Sequence, residues 1–319
     1  MAERAAGVDA DSSSRAGLGI WLSAARPRTL GASTVPVAVG LAMAARAGSI
    51  DAIVAVVTVV CAVLLQVGTN FANDYFDWKS GVDTATRLGP VRATAAGLVR
   101  PQSMRRALIL VLACALACGM YLVAAGGWPI AAIGLASVIA AVAYSAGPFP
   151  LAWYGLGELL VFLFFGVIAV SGTYYLQRGD VSVETLLACL PPSALATALL
   201  VVNNLRDIDT DRAAGKRTVA VRIGARATRI QYALLVAAAF VAVVAVAVVI
   251  EPFAAIALLA APLAVAEVQR LRDAQGASLN ASLAGTARLH LVVGALFVLG
   301  LVLRLVLRVG SGLGLGLPA

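Results

Sequence analysis

The sequence predicts an all-α polytopic membrane protein, built as a bundle of about nine transmembrane helices. Hydrophobic residues make up 61% of the 319 positions and charged residues only 13%, roughly half of the ~25% found in soluble domains. Apolar runs of about 20 residues, the length that crosses a bilayer, recur along the whole chain. The few charges are concentrated between these runs. The pattern therefore favours a membrane bundle over a soluble globular fold.

Nine apolar segments are candidates for spans because each is close to bilayer length. They are expected at 29–46, 52–73, 104–125, 128–146, 157–177, 184–205, 228–250, 252–268 and 288–309. Only Glu251 and Pro252 divide the seventh segment from the eighth, so a bundle of eight spans remains an alternative. We expect a single transmembrane domain over 18–310, a disordered cytoplasmic tail over 1–17 and a flexible C-terminal tail over 311–319.

Lysine and arginine are distributed unequally between the two sides of the predicted bundle. The N-terminal tail and the loops after the second, sixth and eighth segments hold 20 of the 24 basic residues. By the positive-inside rule these parts face the cytoplasm, and we expect a multi-pass protein of the plasma membrane with its N-terminus inside. The net charge of +8 does not indicate nucleic-acid binding, because basic stripes with interleaved aromatic residues are absent.

Two clusters of asparagine and aspartate mark the ends of the second and sixth segments. In the first, Asn70, Asn73, Asp74 and Asp77 share one helical stripe, and Asp83 follows in the loop. In the second, Asn203, Asp207 and Asp211 recur at intervals of four and again form one stripe. Carboxylates stacked at this spacing repel each other, and burial near a membrane adds a desolvation cost. A bound cation would offset both.

Oxygen ligands of this kind suit Mg²⁺, which also binds substrate phosphates. No histidine or cysteine lies near either cluster, which argues against zinc. We expect metal ligands among these side chains: Asn73, Asp74, Asp77, Asp83, Asn203, Asp207 and Asp211. The bases that follow them would contact a diphosphate: Arg87, Arg92, Lys216 and Arg217. The alternative is a pair of solvated loop faces, which two matched clusters make less favourable than one would.

At this point two stretches carry a family resemblance. "NDYFDWKSGVDTATRLGPVRATAAGL" from Asn73 and "NNLRDIDTDRAAGKRTVAVRIG" from Asn203 resemble the aspartate motifs of UbiA-type intramembrane prenyltransferases. The resemblance covers most of the chain and implies nine helices around a central cavity that holds a Mg²⁺-bound prenyl diphosphate. One departure concerns the third acid of the first motif: the general family has it at position 81, where this chain has Gly81, and the acid here is Asp83.

The resemblance also implies a reaction. The branch of the family that these stretches resemble serves the menaquinone pathway, and it transfers a polyprenyl group from polyprenyl diphosphate to 1,4-dihydroxy-2-naphthoate with loss of diphosphate and CO₂. Catalytic roles would then fall on Asp74, Asp77, Asp207, Asp211 and Lys216. Contacts to the aromatic substrate are expected from Asn70, Tyr144 and Arg28. Each of these three has a structural alternative: a helix-bracing amide, an interfacial tyrosine and a snorkelling arginine.

Other side chains and other functions stay open. Glu158 at the start of the fifth segment is unusual there, although a favourable charge at a helix N-terminus would explain it. A prenyltransferase of the same fold with another acceptor, such as 4-hydroxybenzoate or homogentisate, is the first alternative function. A transporter is the second. It is disfavoured because transporters place their acids near the bilayer midplane, whereas both clusters here end their helices beside basic loops.

Overall fold

The computed structural model describes residues 10–80, 92–145 and 150–312, and every regular element in those ranges is helical. Eleven helices follow one another, some of them interrupted by short 3₁₀ or π turns. They are α1 (Ala10–Ala25), α2 (Pro27–Ala47), α3 (Ala52–Ser80), α4 (Pro101–Gly126), α5 (Trp128–Ser145), α6 (Gly157–Arg178), α7 (Val183–Arg206), α8 (Ile208–Ala213), α9 (Val219–Val249), α10 (Pro252–Asp273) and α11 (Leu279–Gly312).

Eight of the described helices are long and apolar enough to cross a membrane, and the shorter apolar helix Trp128–Ala141 within α5 supplies a ninth segment. The predicted polytopic bundle is therefore confirmed, with eight long apolar helices and one shorter one among the described residues. The predicted seventh and eighth segments are separate helices, because the chain leaves α9 at Ile250 and re-enters a helix at Pro252. Large apolar side chains on outer faces, such as Leu110, Leu116 and Met120 of α4, are exposed as lipid contact requires.

The two predicted tails overlap described helices. Helix α1 begins at Ala10, so the last part of the predicted tail over 1–17 is helical, and residues 1–9 lie outside the described part of the chain. Helix α11 extends to Gly312, beyond the start of the tail predicted over 311–319.

Helix α7 is the central helix of the bundle. Its apolar side chains join those of α9 and α11 in the largest buried cluster, which includes Leu195, Val201, Tyr232 and Phe297. A glycine brings α6 against α7: a Cβ at Gly166 would lie 1.6 Å from the Ser193 hydroxyl oxygen, so no side chain fits there. Gly166 lies within a π turn, a local widening that α-helices often carry at functional positions.

Contacts between helices show which of their ends lie together. Helices α2 and α11 are parallel, because Gly31 contacts Leu291 and Val35 contacts Gly294 at successive levels. The two helices therefore begin at the same end of the bundle. We call this the acidic end, since α3 and α7 both finish there, as the next contacts show.

Two polar contacts place the ends of α3 and α7 at the acidic end. On α3, the Asn70 amide nitrogen donates to the Thr29 hydroxyl at the start of α2 (2.9 Å). At the end of α7, Arg206 Nη1 donates to Asn280 Oδ1 at the start of α11 (3.2 Å). The structure thus brings the two predicted clusters to one end of the bundle.

The opposite end is held by an outer ion cluster of Arg46, Glu251 and Arg304. The Glu251 carboxylate is fully buried and lies 2.5 Å from Arg46 Nη1 and 3.4 Å from Arg304 Nη2. Arg46 also donates to the Ile250 carbonyl (3.1 Å). These contacts tie the far ends of α2 and α11 to the break between α9 and α10. A buried carboxylate needs such partners, since burial without them is costly.

Candidate functional site

The first cluster is organised around Asp74 on α3. Its carboxylate is only 2% exposed, and each of its oxygens accepts one backbone N–H at 2.9 Å, from Ala93 and from Thr94. These donors belong to the 92–99 turn, which follows the charged loop and precedes α4. Asp74 therefore fastens this turn to α3 through two charge-assisted hydrogen bonds.

Asn70, one turn earlier on α3, braces the corner between α1 and α2. It is buried, and its amide nitrogen donates to the Ala25 carbonyl (2.8 Å) and to the Thr29 hydroxyl (2.9 Å). Arg26, which follows Ala25 at this corner, is the one described non-glycine residue with a positive φ, at 52°. The Asn70 contacts thus brace a strained corner, and the contact with the aromatic substrate stays a prediction.

The remaining predicted residues of this half fall in three places. Asn73 is half-buried on α3, and Arg92 is buried at the start of the turn that Asp74 fastens. Asp77 on α3 and Arg28 on α2 belong to described helices, but their side chains lie outside the described part of the protein. The predictions for Asp83 and Arg87 also fall outside the described residues.

The second cluster is organised around Arg206, a residue that sequence reasoning missed. Its guanidinium grips the Asp207 carboxylate with two 2.7 Å hydrogen bonds, from Nε and Nη2. Nη2 also donates to Asn203 Oδ1 (2.8 Å), and Nη1 reaches Asn280 on α11. The Arg206 side chain is only 4% exposed. One buried cation therefore joins the two predicted ligands and orients their oxygens.

Asp211 on α8 has its own cation. Lys216 Nζ lies 3.1 Å from the Asp211 carboxylate, and the backbone N–H of Lys216 donates to the Asp211 carbonyl (2.9 Å). Burial raises the pKa of Asp211, with a smaller contribution in the same direction from the Asp207 charge, while Lys216 and Arg206 lower it. The net direction is upward, so ionising this carboxyl group costs free energy in the folded protein.

Lys216 and Arg217 lie in a loop that is fastened to residues 150–156. The backbone N–H of Arg217 donates to the Trp153 carbonyl (2.7 Å), and Lys216 Nζ lies 6.0 Å from the centre of the Trp153 ring. Arg222 continues the contact by donating to the Tyr154 carbonyl (2.9 Å). The predicted diphosphate-binding bases of this half are therefore positioned by an aromatic loop.

Tyr144 and Glu158 complete the acidic end. The Tyr144 ring packs on Gly157, where a Cβ would lie 3.4 Å from it, and its hydroxyl is close enough to Asp211 and Glu158 to interact electrostatically with both. Glu158 accepts hydrogen bonds from Asn204 Nδ2 (3.4 Å) and from the Gln231 amide nitrogen. The predicted aromatic-substrate residue Tyr144 is thus beside the second cluster.

The chemistry of the donor set fits a hard divalent cation. Around Arg206 and Lys216 the structure places carboxylate and amide oxygens from Asn203, Asp207 and Asp211, and two cationic side chains neutralise them. Within the described residues no group of three or more His, Cys, Asp and Glu side chains has metal-binding geometry. In this structure the predicted ligand oxygens are paired with cationic side chains. Carboxylate and amide oxygens are the kinds of ligand that suit Mg²⁺.

An open apolar groove of about 430 Å³ runs along α9. Its lining comes from one face of that helix, and Gln231 is its polar member; the others are Ala227, Ile230, Leu234, Leu235 and Ala238. Because Gln231 also contacts Glu158, the groove and the polar side chains of the acidic end meet at this residue.

Comparisons with known proteins agree on one family. Residues 33–292 match the model of the UbiA prenyltransferase family. The chain is 34% identical to 1,4-dihydroxy-2-naphthoate octaprenyltransferase of Haemophilus influenzae, over 90% of this chain and 96% of that protein. It is 38% identical to the Mycobacterium tuberculosis protein of the same name, over 80% of this chain and 87% of that protein.

Solved structures share the fold at lower identity. A UbiA homologue from Aeropyrum pernix K1 superposes with a TM-score of 0.65 at 18% identity, covering 86% of this chain and 98% of that one. A UbiA homologue from Archaeoglobus fulgidus, bound to DMAPP and Mg²⁺, gives a TM-score of 0.58 at 15% identity, covering 87% and 98%.

Proposed function

The chain belongs to the UbiA prenyltransferase family, and from this premise we propose that it transfers a polyprenyl group from polyprenyl diphosphate to 1,4-dihydroxy-2-naphthoate. The products would be diphosphate, CO₂ and the demethylated quinol precursor of menaquinone. The names of relatives at 34% and 38% identity support the choice of acceptor.

The observation that carries the proposal is the second cluster. Asp207 and Asp211 lie at the acidic end, each in contact with a cation, and Asp74 lies at the same end. Paired acids with adjacent bases suit a ligand that brings both metal and negative charge, which a magnesium diphosphate does. A solvated loop face would not need a buried arginine at its centre.

Mg²⁺, when bound, would act as a Lewis acid that neutralises the leaving diphosphate. The residues proposed to hold it are Asn203, Asp207 and Asp211 from the second cluster, with Asn73, Asp74, Asp77 and Asp83 from the first. Asp74 would offer the metal the lone pairs that its two backbone hydrogen bonds leave unused.

Lys216 and Arg217 would stabilise the negative charge that builds on the departing oxygens. Arg92 and Arg87 would do so from the first half. Arg92 follows the loop and begins the turn that Asp74 fastens, so its backbone is positioned by the acid cluster itself. The chain would thus bring positive charges from both halves to the leaving group.

The allylic cation left behind must be protected from water. The apolar helices of the bundle exclude water from it, and the rings of Trp153 and Tyr144 offer π faces that attract a cation. Both rings lie beside the second cluster. The electron-rich ring of the acceptor then attacks, and its carboxyl group leaves as CO₂. Tyr144, Arg28 and Asn70 are proposed to contact this acceptor, and Asn70 also braces the corner between α1 and α2.

The protein is proposed to lie in the plasma membrane with the acidic end in the cytoplasm. The excess of basic residues in the loops at this end supports that orientation. Soluble 1,4-dihydroxy-2-naphthoate would then reach the site from the cytoplasm, while the isoprenoid tail remains among the helices.

The test is a product assay with purified protein in lipid nanodiscs. It contains polyprenyl diphosphate, Mg²⁺ and one acceptor at a time: 1,4-dihydroxy-2-naphthoate, 4-hydroxybenzoate or homogentisate. We expect mass spectrometry to show the prenylated and decarboxylated naphthoquinol as the main product. Faster prenylation of either other acceptor would overturn the assignment of substrate. Turnover that does not depend on Mg²⁺ would overturn the role of the metal.

A further inference from the structure

We propose that Glu158 is the proton acceptor for a ring hydroxyl of the aromatic substrate. The inference rests on the proposed function, since it concerns the second substrate of that reaction. It starts from a contrast among the buried glutamates of the described residues and does not involve the metal.

Glu158, Glu251 and Glu267 are all buried glutamates in this membrane protein. Glu251 contacts two arginines, and Glu267, at 1% exposure, contacts Arg270 (2.8 Å) and Arg288 (3.3 Å). Glu158 is 8% exposed, and its recorded partners are two neutral amides. Among the described residues it forms no ion pair. An acid that a structural role alone required would have been neutralised as the other two are.

The two amides use only part of the hydrogen-bonding capacity of the Glu158 carboxylate. Asn204 donates to one oxygen and Gln231 to the other. An ionised carboxylate has about four lone-pair sites, so capacity remains for a further donor. Both donors are N–H groups of neutral amides, so they orient the carboxylate without bringing an opposite charge to it. An ionisable group inside a membrane bundle is by default a functional candidate.

The position of Glu158 fits the acceptor and not the diphosphate. The Tyr144 ring packs on Gly157, which precedes Glu158 in the chain, and the charges of Asp211 and Glu158 both act on its hydroxyl. Glu158 also contacts Gln231, the polar member of the apolar groove on α9. A flat ring that carries hydroxyl groups needs this combination of an aromatic neighbour, an apolar surface and one hydrogen-bond acceptor.

The chemistry balances without another reagent. As the C–O bond of the prenyl diphosphate breaks, the ring carbon that bears the carboxylate bonds to the allylic cation. The adjacent hydroxyl becomes a carbonyl and its proton passes to Glu158. The carboxylate then leaves as CO₂, and its bonding pair returns to the ring as an enolate. The enolate oxygen takes the proton back, so Glu158 ends as it began and no electrons are gained or lost.

The test compares Glu158→Gln, Glu158→Asp and the exposed control Glu184→Gln in nanodiscs. Two rates are measured: prenylation of 1,4-dihydroxy-2-naphthoate, and the slow release of diphosphate without acceptor. For Glu158→Gln we expect kcat for prenylation to fall about 100-fold or more, the range of general-base catalysis. Diphosphate release and the KM for prenyl diphosphate should stay within about twofold of wild type. Glu158→Asp should lie between, and Glu184→Gln should match wild type.

Two outcomes would overturn the proposal: prenylation by Glu158→Gln within about threefold of wild type, or an equal loss of both rates, which a structural role would give. Since the variant can fail to fold, a second measurement uses the wild-type protein. The acceptor methylated on the hydroxyl next to its carboxylate should react at least about 100-fold more slowly. An unchanged rate would also overturn the proposal.

Failure of the proposed function is distinguishable from these outcomes. If the wild-type protein prenylates a different phenol faster, the assignment of 1,4-dihydroxy-2-naphthoate fails. The Glu158 comparison is then repeated with that phenol, and the same two rates decide it.

Discussion

The two acidic clusters have similar sequences and different partners. Asp74 on α3 is held by two backbone N–H groups of the 92–99 turn. Asp207 and Asp211, around α8, are held by the side chains of Arg206 and Lys216. Backbone donors are fixed by the turn to which they belong, whereas cationic side chains can rotate away. We therefore expect Asp74 to keep the 92–99 turn in place with and without ligand, and Asp207 and Asp211 to change their side-chain contacts when Mg²⁺ and diphosphate bind.

The largest expected effect tests the second cluster. Asp207→Asn keeps the shape but removes the charge that Arg206 and a metal would share, and we expect turnover to fall roughly 10³-fold, the scale of losing a preorganised electrostatic contact. Asp209→Asn is the matched control, because Asp209 lies two residues further along, on α8, with an 89% exposed side chain. Wild-type turnover by Asp207→Asn in the nanodisc assay would contradict a role for Asp207 in binding the ligand.

The next effect tests whether Asp74 holds the 92–99 turn in place. Asp74→Ala leaves two N–H groups of the 92–99 turn without acceptors, and we expect an unfolding free energy lower by about 2 kcal/mol. Turnover should drop about 100-fold, and protease cleavage in the turn should increase. In Asp207→Asn the turn should keep its wild-type resistance. Equal cleavage in the two variants would remove the distinction between the clusters.

A control for Asp74→Ala lies at the other end of α3. The Asp51 carboxylate also accepts two backbone N–H groups, from Ile53 and Val54, at an exposed helix start. Asp51→Ala should cost about 1 kcal/mol of stability, as lost caps do, with turnover unchanged.

A smaller effect concerns Arg206. Arg206→Lys keeps the charge but cannot grip Asp207 with two parallel hydrogen bonds, so we expect kcat/KM for prenyl diphosphate to fall about tenfold. The half-saturating Mg²⁺ concentration should change as well, since Asn203 and Asp207 lose their common partner. The control is Arg212→Lys, a neighbouring exposed arginine paired only with exposed Asp209. A Mg²⁺ dependence identical to wild type in Arg206→Lys would show that Arg206 does not orient the ligands.

The smallest effect follows from Asp211. Because burial raises its pKa, the folded protein binds this proton more tightly than the unfolded chain does, so ionised Asp211 lowers stability at neutral pH. Without Mg²⁺ at pH 7, Asp211→Asn should therefore raise Tm. The difference should shrink as pH falls through the folded pKa. Mg²⁺ with diphosphate should raise Tm more in wild type than in the variant, and the opposite order would exclude Asp211 from the ligand site.

The sequence predicts what periodicity controls. Asparagine and aspartate at intervals of three and four must share a helix face, and the basic loops after both helices predict that the two clusters lie on one side of the membrane. The structure places Asn70 and Asp74 on the same helix end and Asp207 at the end of α7, as that pattern requires.

Contacts that do not follow from a regular residue spacing could not be predicted from the sequence. The donors to Asp74 come from a turn beyond the charged loop, and no spacing rule relates them to α3. Arg206 was missed because neighbours along a helix do not face each other. Helix α7 ends at this point, where Asp207 leaves helical geometry (φ −95°, ψ 9°), and the guanidinium can therefore fold onto the next side chain. The partners of Glu158 come from two other helices and require the tertiary structure.

The outer ion cluster has a mechanical consequence. Arg46, Glu251 and Arg304 tie α2 and α11 to the α9–α10 break at the end farthest from the acids. Breaking a buried ion pair costs free energy, so we expect the helix ends to stay together here. If the helices part near the acids to admit a long isoprenoid, we expect their far ends to stay joined. In hydrogen–deuterium exchange, donor binding should alter protection at the start of α2 and leave the residues around Glu251 unchanged.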